Sequence, residues 1–240
     1  MSESMLAVKE LQAAYGEVQV LWSVDLNIRR GEISALIGSN GAGKTTLMRC
    51  VSGMVPAKSG SVRFNGTELT HAGPQRALEA GIAHVPEGRR LFAAMSVRDN
   101  LLMGAYLRKL SAVELRRDLD KVYETFPILA ERCNQAAGTL SGGQQQMCAI
   151  GRGLMSAPKL LMIDELSLGL APAAVDLLCD ALRRLNAEGL TILVVEQDVT
   201  TALELAHRGF VMDRGRVVKS GVSNELSEDA AVRQAYLGVL

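Results

Sequence analysis

The chain has 240 residues, 48% of them apolar, which is enough to bury a core in one large or two small domains. Its 26 Lys and Arg balance 26 Asp and Glu, so no global positive field exists to hold nucleic acid or an anionic membrane surface nonspecifically. No segment approaches the roughly 18 consecutive apolar residues that a spanning helix needs, and the opening MSESMLAVKELQAAYGE lacks the apolar run of a secretory signal. The expectation is a cytoplasmic chain that reaches a membrane only through a partner.

In chain order, short apolar runs separated by Gly-containing turns predict strands at Val20 to Ile28, Ile33 to Ile37 and Ser61 to Phe64, the last followed by Asn65-Gly66. Directly after Ile37, Gly38-Ser39-Asn40-Gly41-Ala42-Gly43-Lys44-Thr45 fits G-x-x-x-x-G-K-[ST] in full and opens a segment that can be helical to about Cys50. The glycines let successive backbone N–H groups and a helix N-terminus converge on phosphate oxygens. Lys44 supplies a point charge to the β and γ phosphates, Thr45 a magnesium ligand, and Thr46 joins the nucleotide contacts. This loop leaves kinases, GTPases and motor ATPases all open.

Between Ser96 and Pro158 the spacing turns helical, with Leu115, Leu119, Val122 and Phe126 on one face and a capping box at Ser111 and Glu114. Ser141 is a good helix cap, and Met147, Ile150, Leu154 and Met155 continue that helix. Two buried-type strands, Leu160 to Ile163 and Thr191 to Val195, flank a helix that begins near Pro172 and stops near Gly189, a βαβ unit. The first of these strands ends in Asp164-Glu165, which places Asp164 to hold magnesium and Glu165 to polarise a water. With no internal repeat or linker, one domain over 1–240 is expected. It is a parallel sheet covered by helices, with the core at 1–95 and 156–240 and a helical insertion at about 96–155. Cys50, Cys133, Cys148 and Cys179 form no CxxC pair and read as free thiols.

Leu140-Ser141-Gly142-Gly143-Gln144 resembles the LSGGQ motif that distinguishes ABC ATPases from other P-loop proteins. The resemblance covers essentially the whole chain. It implies an α/β P-loop NTPase fold of ABC type, a mixed sheet core with an N-terminal antiparallel β part and an inserted helical subdomain, with ATP and magnesium as ligands. It implies that Tyr15 stacks on adenine and that Ser141, Gly142 and Gly143 close over the γ-phosphate held by a second subunit. Ser167 to Leu170 would be the dimer-facing loop. Three positions depart from the general pattern. Glu87 stands where a magnesium-contacting glutamine is usual, in Val85-Pro86-Glu87-Gly88-Arg89-Arg90, and can still reach magnesium or water through oxygen. Gln197 stands at the switch-histidine position and can hydrogen-bond a γ-phosphate but carries no charge. Leu166 replaces a proline after the catalytic glutamate.

Pro-Glu-Gly-Arg-Arg, Val-Glu-Gln, Ser-Leu-Gly-Leu-Ala-Pro and the tail Ala235-Tyr236-Leu237-Gly238 together resemble LivF-type ATPase subunits of branched-chain amino acid importers. That likeness implies transmembrane permease subunits, a LivG-like second ATPase or a head-to-tail dimer of this chain, and an external solute-binding protein, with the chain peripheral on the inner face of the plasma membrane. Motors for urea or amides, a soluble ABC ATPase acting on ribosomes or DNA, and a module that only holds ATP are the alternatives. Nucleic acid is not expected as a partner, since tandem units and basic extensions are lacking.

Overall fold

The structure, a computed structural model, describes residues 4–237. The chain opens with a long hairpin of β1 (Ser4–Tyr15) and β2 (Val18–Arg29), and β1 also pairs antiparallel with β4 (Ser59–Phe64), which turns through Asn65-Gly66 into β5 (Thr67–Glu68). Asn65 (φ 49°) and Gly66 (φ 77°) both take the left-handed region that a tight hairpin turn demands. The four strands form one sheet in the order β2-β1-β4-β5. Strand β1 was not evident in the sequence because its register shifts on both sides of Leu11 and Glu10 turns to φ 48°, which breaks the alternation of apolar and polar positions.

The second sheet has the order β10-β9-β3-β8-β7-β6, built from β3 (Ile33–Ile37), β6 (Ile82–Val85), β7 (Leu160–Asp164), β8 (Thr191–Glu196), β9 (Arg208–Asp213) and β10 (Arg216–Val222). Its neighbouring strands run parallel except for the antiparallel edge strand β10. Every residue of β3, β7 and β8 is buried, which is why these strands read as unbroken apolar runs. Predicted strand ends were short by a residue or two: β2 starts at Val18, β4 at Ser59, and β8 extends to Glu196.

Successive residues of β3 point to opposite faces and join two separate cores. Ile33, Ala35 and Ile37 pack with Leu101, Val122, Ile150, Leu178 and Leu182. These come from α3 (Val97–Met103), α4 (Ala112–Thr125), α6 (Gly142–Leu154) and α7 (Pro172–Ala187). On the other face Leu36 packs with Leu47 of α1 (Lys44–Val51) and with Leu6, Val24 and Phe64 of the antiparallel sheet. The capping box at Ser111 and Glu114 is formed, and Leu119, Val122 and Phe126 are buried. Short helices α2 (Gly73–Ala80), α5 (Pro127–Glu131), α8 (Val199–Leu205) and α9 (Ser223–Ser227) complete the layers. Cys50, Cys133, Cys148 and Cys179 are free. Among the described residues no helix is long and apolar enough to cross a membrane. Gly238 of the tail lies outside the described residues.

Candidate nucleotide site

Strands β3, β8 and β7 are neighbours and run parallel, so the loops that follow them open on one edge of the sheet, the usual place for a ligand in such folds. The loop after β3 is held tightly. A Cβ on Gly38 would collide with the Met212 carbonyl oxygen of β9, and one on Gly43 (φ 103°) would press on Leu21 and Met212 at 3.0 Å. Ala42 accepts from the Gly215 N–H (2.8 Å) and donates to the Ser39 carbonyl (3.1 Å), while Ser39, Asn40 and Gly41 stand exposed at the tip. The glycines thus do two jobs: they allow close approach of β9 and they permit the left-handed turns at Gly41 and Gly43.

Lys44 begins α1 and its side chain folds back over the loop. Its Nζ donates to the carbonyls of Gly38 (2.7 Å) and Ser39 (3.2 Å) and lies 3.9 Å from Glu165 Oε1. Burial lowers its pKa, opposed by the charges of Glu165 and Asp164. Thr45 donates its hydroxyl to Asp164 Oδ1 (3.3 Å), and Thr46 is buried beside it. Asp164 is 1% exposed, and among the described residues its buried Oδ2 has no hydrogen-bond partner. Burial pushes its carboxyl up to about 6, while the Thr45 hydrogen bond and Lys44 pull the other way. A hydroxyl beside a carboxylate with a free oxygen is the hard donor set that magnesium takes, with phosphates and water supplying its remaining ligands. Among the described residues no group of three or more His, Cys, Asp or Glu side chains is placed to hold a metal by protein ligands alone.

Glu165 follows in the left-handed region (φ 57°), with its N–H donating to the Val195 carbonyl at 3.0 Å. Gln197, directly after β8, donates its side-chain amide to Glu165 Oε1 at 3.2 Å. Lys44, Thr45, Asp164, Glu165 and Gln197 are therefore brought into one cluster. Leu166 has a physical account in its burial at 1% exposure within the helix-facing core, where an aliphatic side chain fills space. Glu87 sits on an exposed turn after β6 and makes no side-chain hydrogen bond among the described residues. Its charge nonetheless acts on Lys44 and Asp164. Tyr15 ends β1 as a residue 44% exposed, with its hydroxyl 3.4 Å from Arg49 Nη1 of α1.

Ser141 caps α6, in a capping box with Gln144. Its glycines lie away from the Lys44 cluster: the nearest groups to a Cβ on Gly142 are Leu170 and the Arg89 guanidinium, and on Gly143 Ala174. Two features escaped the sequence reading. Arg152 of α6 donates to the carbonyls of Arg89 (2.9 Å) and Arg90 (2.8 Å), which are both left-handed, and its guanidinium lies over the Phe92 ring. Glu196 is buried and accepts from Ser167 and Gln197. Neither has a spacing signal, because the contacts of Arg152 with Arg89 and Arg90 and of Glu196 with Ser167 join segments far apart in sequence.

A family model described as ABC transporter matches residues 21–167, which include the glycine loop, Ser141 to Gln144 and Asp164-Glu165. The chain is 44% identical over 234 residues to the high-affinity branched-chain amino acid transport ATP-binding protein BraG of Pseudomonas aeruginosa, covering 98% of this chain and 100% of that protein. It is 35% identical over 237 residues to the probable branched-chain amino acid transport ATP-binding protein LivF of Archaeoglobus fulgidus, with 98% and 100% covered. A solved ATP-binding cassette of an ABC transporter in its ADP conformation superposes with a TM-score of 0.87 at 27% identity, with 99% of this chain and 100% of that one covered. The chain belongs to the ABC transporter ATP-binding family, and it is an ATPase of that family.

Proposed function

We propose that the chain hydrolyses magnesium-ATP to power the import of branched-chain or related amino acids. The observation that carries the reading is the Glu165 carboxylate, held between Lys44 Nζ at 3.9 Å and the Gln197 amide at 3.2 Å, beside the Thr45–Asp164 pair. Backbone N–H groups from Gly38 to Thr46 cradle the phosphates, and Lys44 exchanges its loop carbonyls for β and γ oxygens. Tyr15 offers its ring to adenine. Glu165 orients a water and accepts its proton as the water oxygen bonds to the γ-phosphorus and the bond to the ADP oxygen breaks. Gln197 keeps Glu165 Oε1 in place, and Glu87 lies close enough to bias the charge of the site. Thr45 and Asp164, with Glu87 nearby, would hold magnesium, which when bound neutralises charge on the phosphate oxygens.

Ser141, Gly142 and Gly143 act on the nucleotide of a second subunit, either another copy of this chain head to tail or a LivG-like ATPase. The helical segment 96–155, inserted between core segments 1–95 and 156–240, together with the Glu87 turn passes closure to transmembrane permease subunits. An external binding protein delivers the solute, and the chain works from the cytoplasmic face of the membrane. The likeness to BraG and LivF, both named as branched-chain amino acid transport ATP-binding proteins, supports the amino acid assignment.

The test is ATP turnover against chain concentration, alone and with a LivG-like partner, beside Glu165→Gln. Turnover that rises faster than linearly and vanishes in the variant is the expected result. Turnover that persists in the variant sinks the assignment of Glu165. ATP binding with no turnover under either condition sinks the hydrolytic reading.

A further inference from the structure

Strand β8 is buried from end to end, yet its last residue, Glu196, is a carboxylate with 1% exposure. Such burial is costly without a counter-charge or a full set of hydrogen bonds. Among the described residues no Lys or Arg lies within ion-pair distance of Glu196; three hydrogen bonds hold it instead. One oxygen accepts from the Ser167 N–H (2.7 Å), and the other from the Ser167 hydroxyl (3.0 Å) and the Gln197 N–H (3.2 Å).

All three donors belong to the two segments that flank Glu165. Ser167 follows Glu165 across the buried Leu166, and Gln197 carries the amide that reaches Glu165 Oε1. A closed ring results, running from Glu165 along the main chain to Ser167, across the Glu196 carboxylate to Gln197, and back to Glu165. The ring encloses the one residue of the site that must be held in an unfavoured backbone conformation (φ 57°), a state that persists only where its surroundings over-determine it. Glu196 is poor as a simple core filler, since an aliphatic side chain would bury at lower cost. Its geometry is that of a clamp.

We propose that Glu196 is a positioning residue for ATP hydrolysis, fixing the Glu165 carboxylate through Ser167 on one side and Gln197 on the other. The inference rests on the reading of Glu165 as the group that orients the attacking water. Glu196 touches neither nucleotide nor water; it sets where Glu165 points.

The experiment measures kcat, KM, the ATP dissociation constant without magnesium, and thermal stability for the full chain, with its partner ATPase where turnover requires one. The variants are Glu196→Ala, Glu196→Gln and Glu165→Gln. In Glu196→Ala, kcat per folded molecule should fall by about tenfold to a hundredfold, the scale on which a misplaced reacting group slows catalysis. KM and ATP affinity should stay within about twofold, because no group that binds ATP is removed. Glu196→Gln keeps a carbonyl to accept from Ser167 and should recover part of the loss. A lower melting temperature with wild-type kcat per folded molecule in both Glu196 variants shows a structural role and overturns the proposal, as does a loss confined to ATP affinity. If Glu196→Ala does not fold, Glu196→Gln decides by the same kcat criterion. An inactive wild type refutes the underlying hydrolytic reading instead, whereas an active wild type, a dead Glu165→Gln and fully active Glu196 variants refute the clamp alone.

Discussion

Replacing Asp164 with Asn in the protein free of nucleotide and magnesium isolates the cost of burying one carboxylate. Burial raises its pKa from 3.8 to about 6, and the Thr45 hydroxyl and Lys44 offset only part of that. The folded-state pKa lies above the unfolded one, so the folded protein binds the proton more tightly. The resulting stability is complete below about pH 4 and is lost as the pH rises through 6, a swing of about 3 kcal/mol. At 1% exposure little solvent screening reduces it. Asn does not titrate, and any cost of burying its amide is the same at every pH. The stability of Asp164→Asn minus that of wild type should therefore climb by about 3 kcal/mol between pH 4 and 7 and then level off. Urea unfolding across that range, with chelator present, measures the difference. Parallel curves for the two proteins would refute the reasoning, whatever their vertical offset.

His84 should behave in the opposite sense. Burial, with help from Arg49, depresses its imidazole to about 4, so stability present above pH 6.5 is lost as the pH falls toward 4, by up to about 3 kcal/mol. Unfolding titrations of His84→Gln should lack that loss. Gly38→Ala places a Cβ against the Met212 carbonyl, where no rotamer change can relieve it, and should cost about 1–3 kcal/mol of stability. Equilibrium dialysis should show ATP affinity in that variant falling at least about tenfold, since the phosphate loop must shift. Ser141→Ala removes the side-chain cap of α6 and should lower stability by about 1 kcal/mol, whereas Ser141→Gly should lower it by a few tenths. Denaturant melts of the pair separate the cap from any effect of Ser141 on turnover.

The glycine loop, the capping boxes at Ser111 and Ser141, and the central strands were legible because each depends on residues close in sequence. Continuous apolar runs mark β3, β7 and β8 since both of their faces are covered. Strand β1 was hidden by its bulges, and the edge strand β10 by its largely exposed, mixed composition. At the site, the types of Lys44, Thr45, Asp164 and Glu165 announced their chemistry. Gln197 was located by its place in a motif, and its reach to Glu165 needed coordinates. Glu196 entered only as the middle of the Val-Glu-Gln motif, because its donors at Ser167 lie 29 residues away and carry no spacing rule. Leu166 had no reading from sequence at all, and burial supplies one.

The grip of Arg152 on the Arg89 and Arg90 carbonyls has a mechanical side. Two backbone oxygens and an aromatic ring are held by one guanidinium rooted in the last turn of α6, so the turn that carries Glu87 cannot slide along the helix without breaking charge-assisted bonds. A load placed on that turn therefore passes through these bonds into α6, whose opposite end begins at the Ser141 cap.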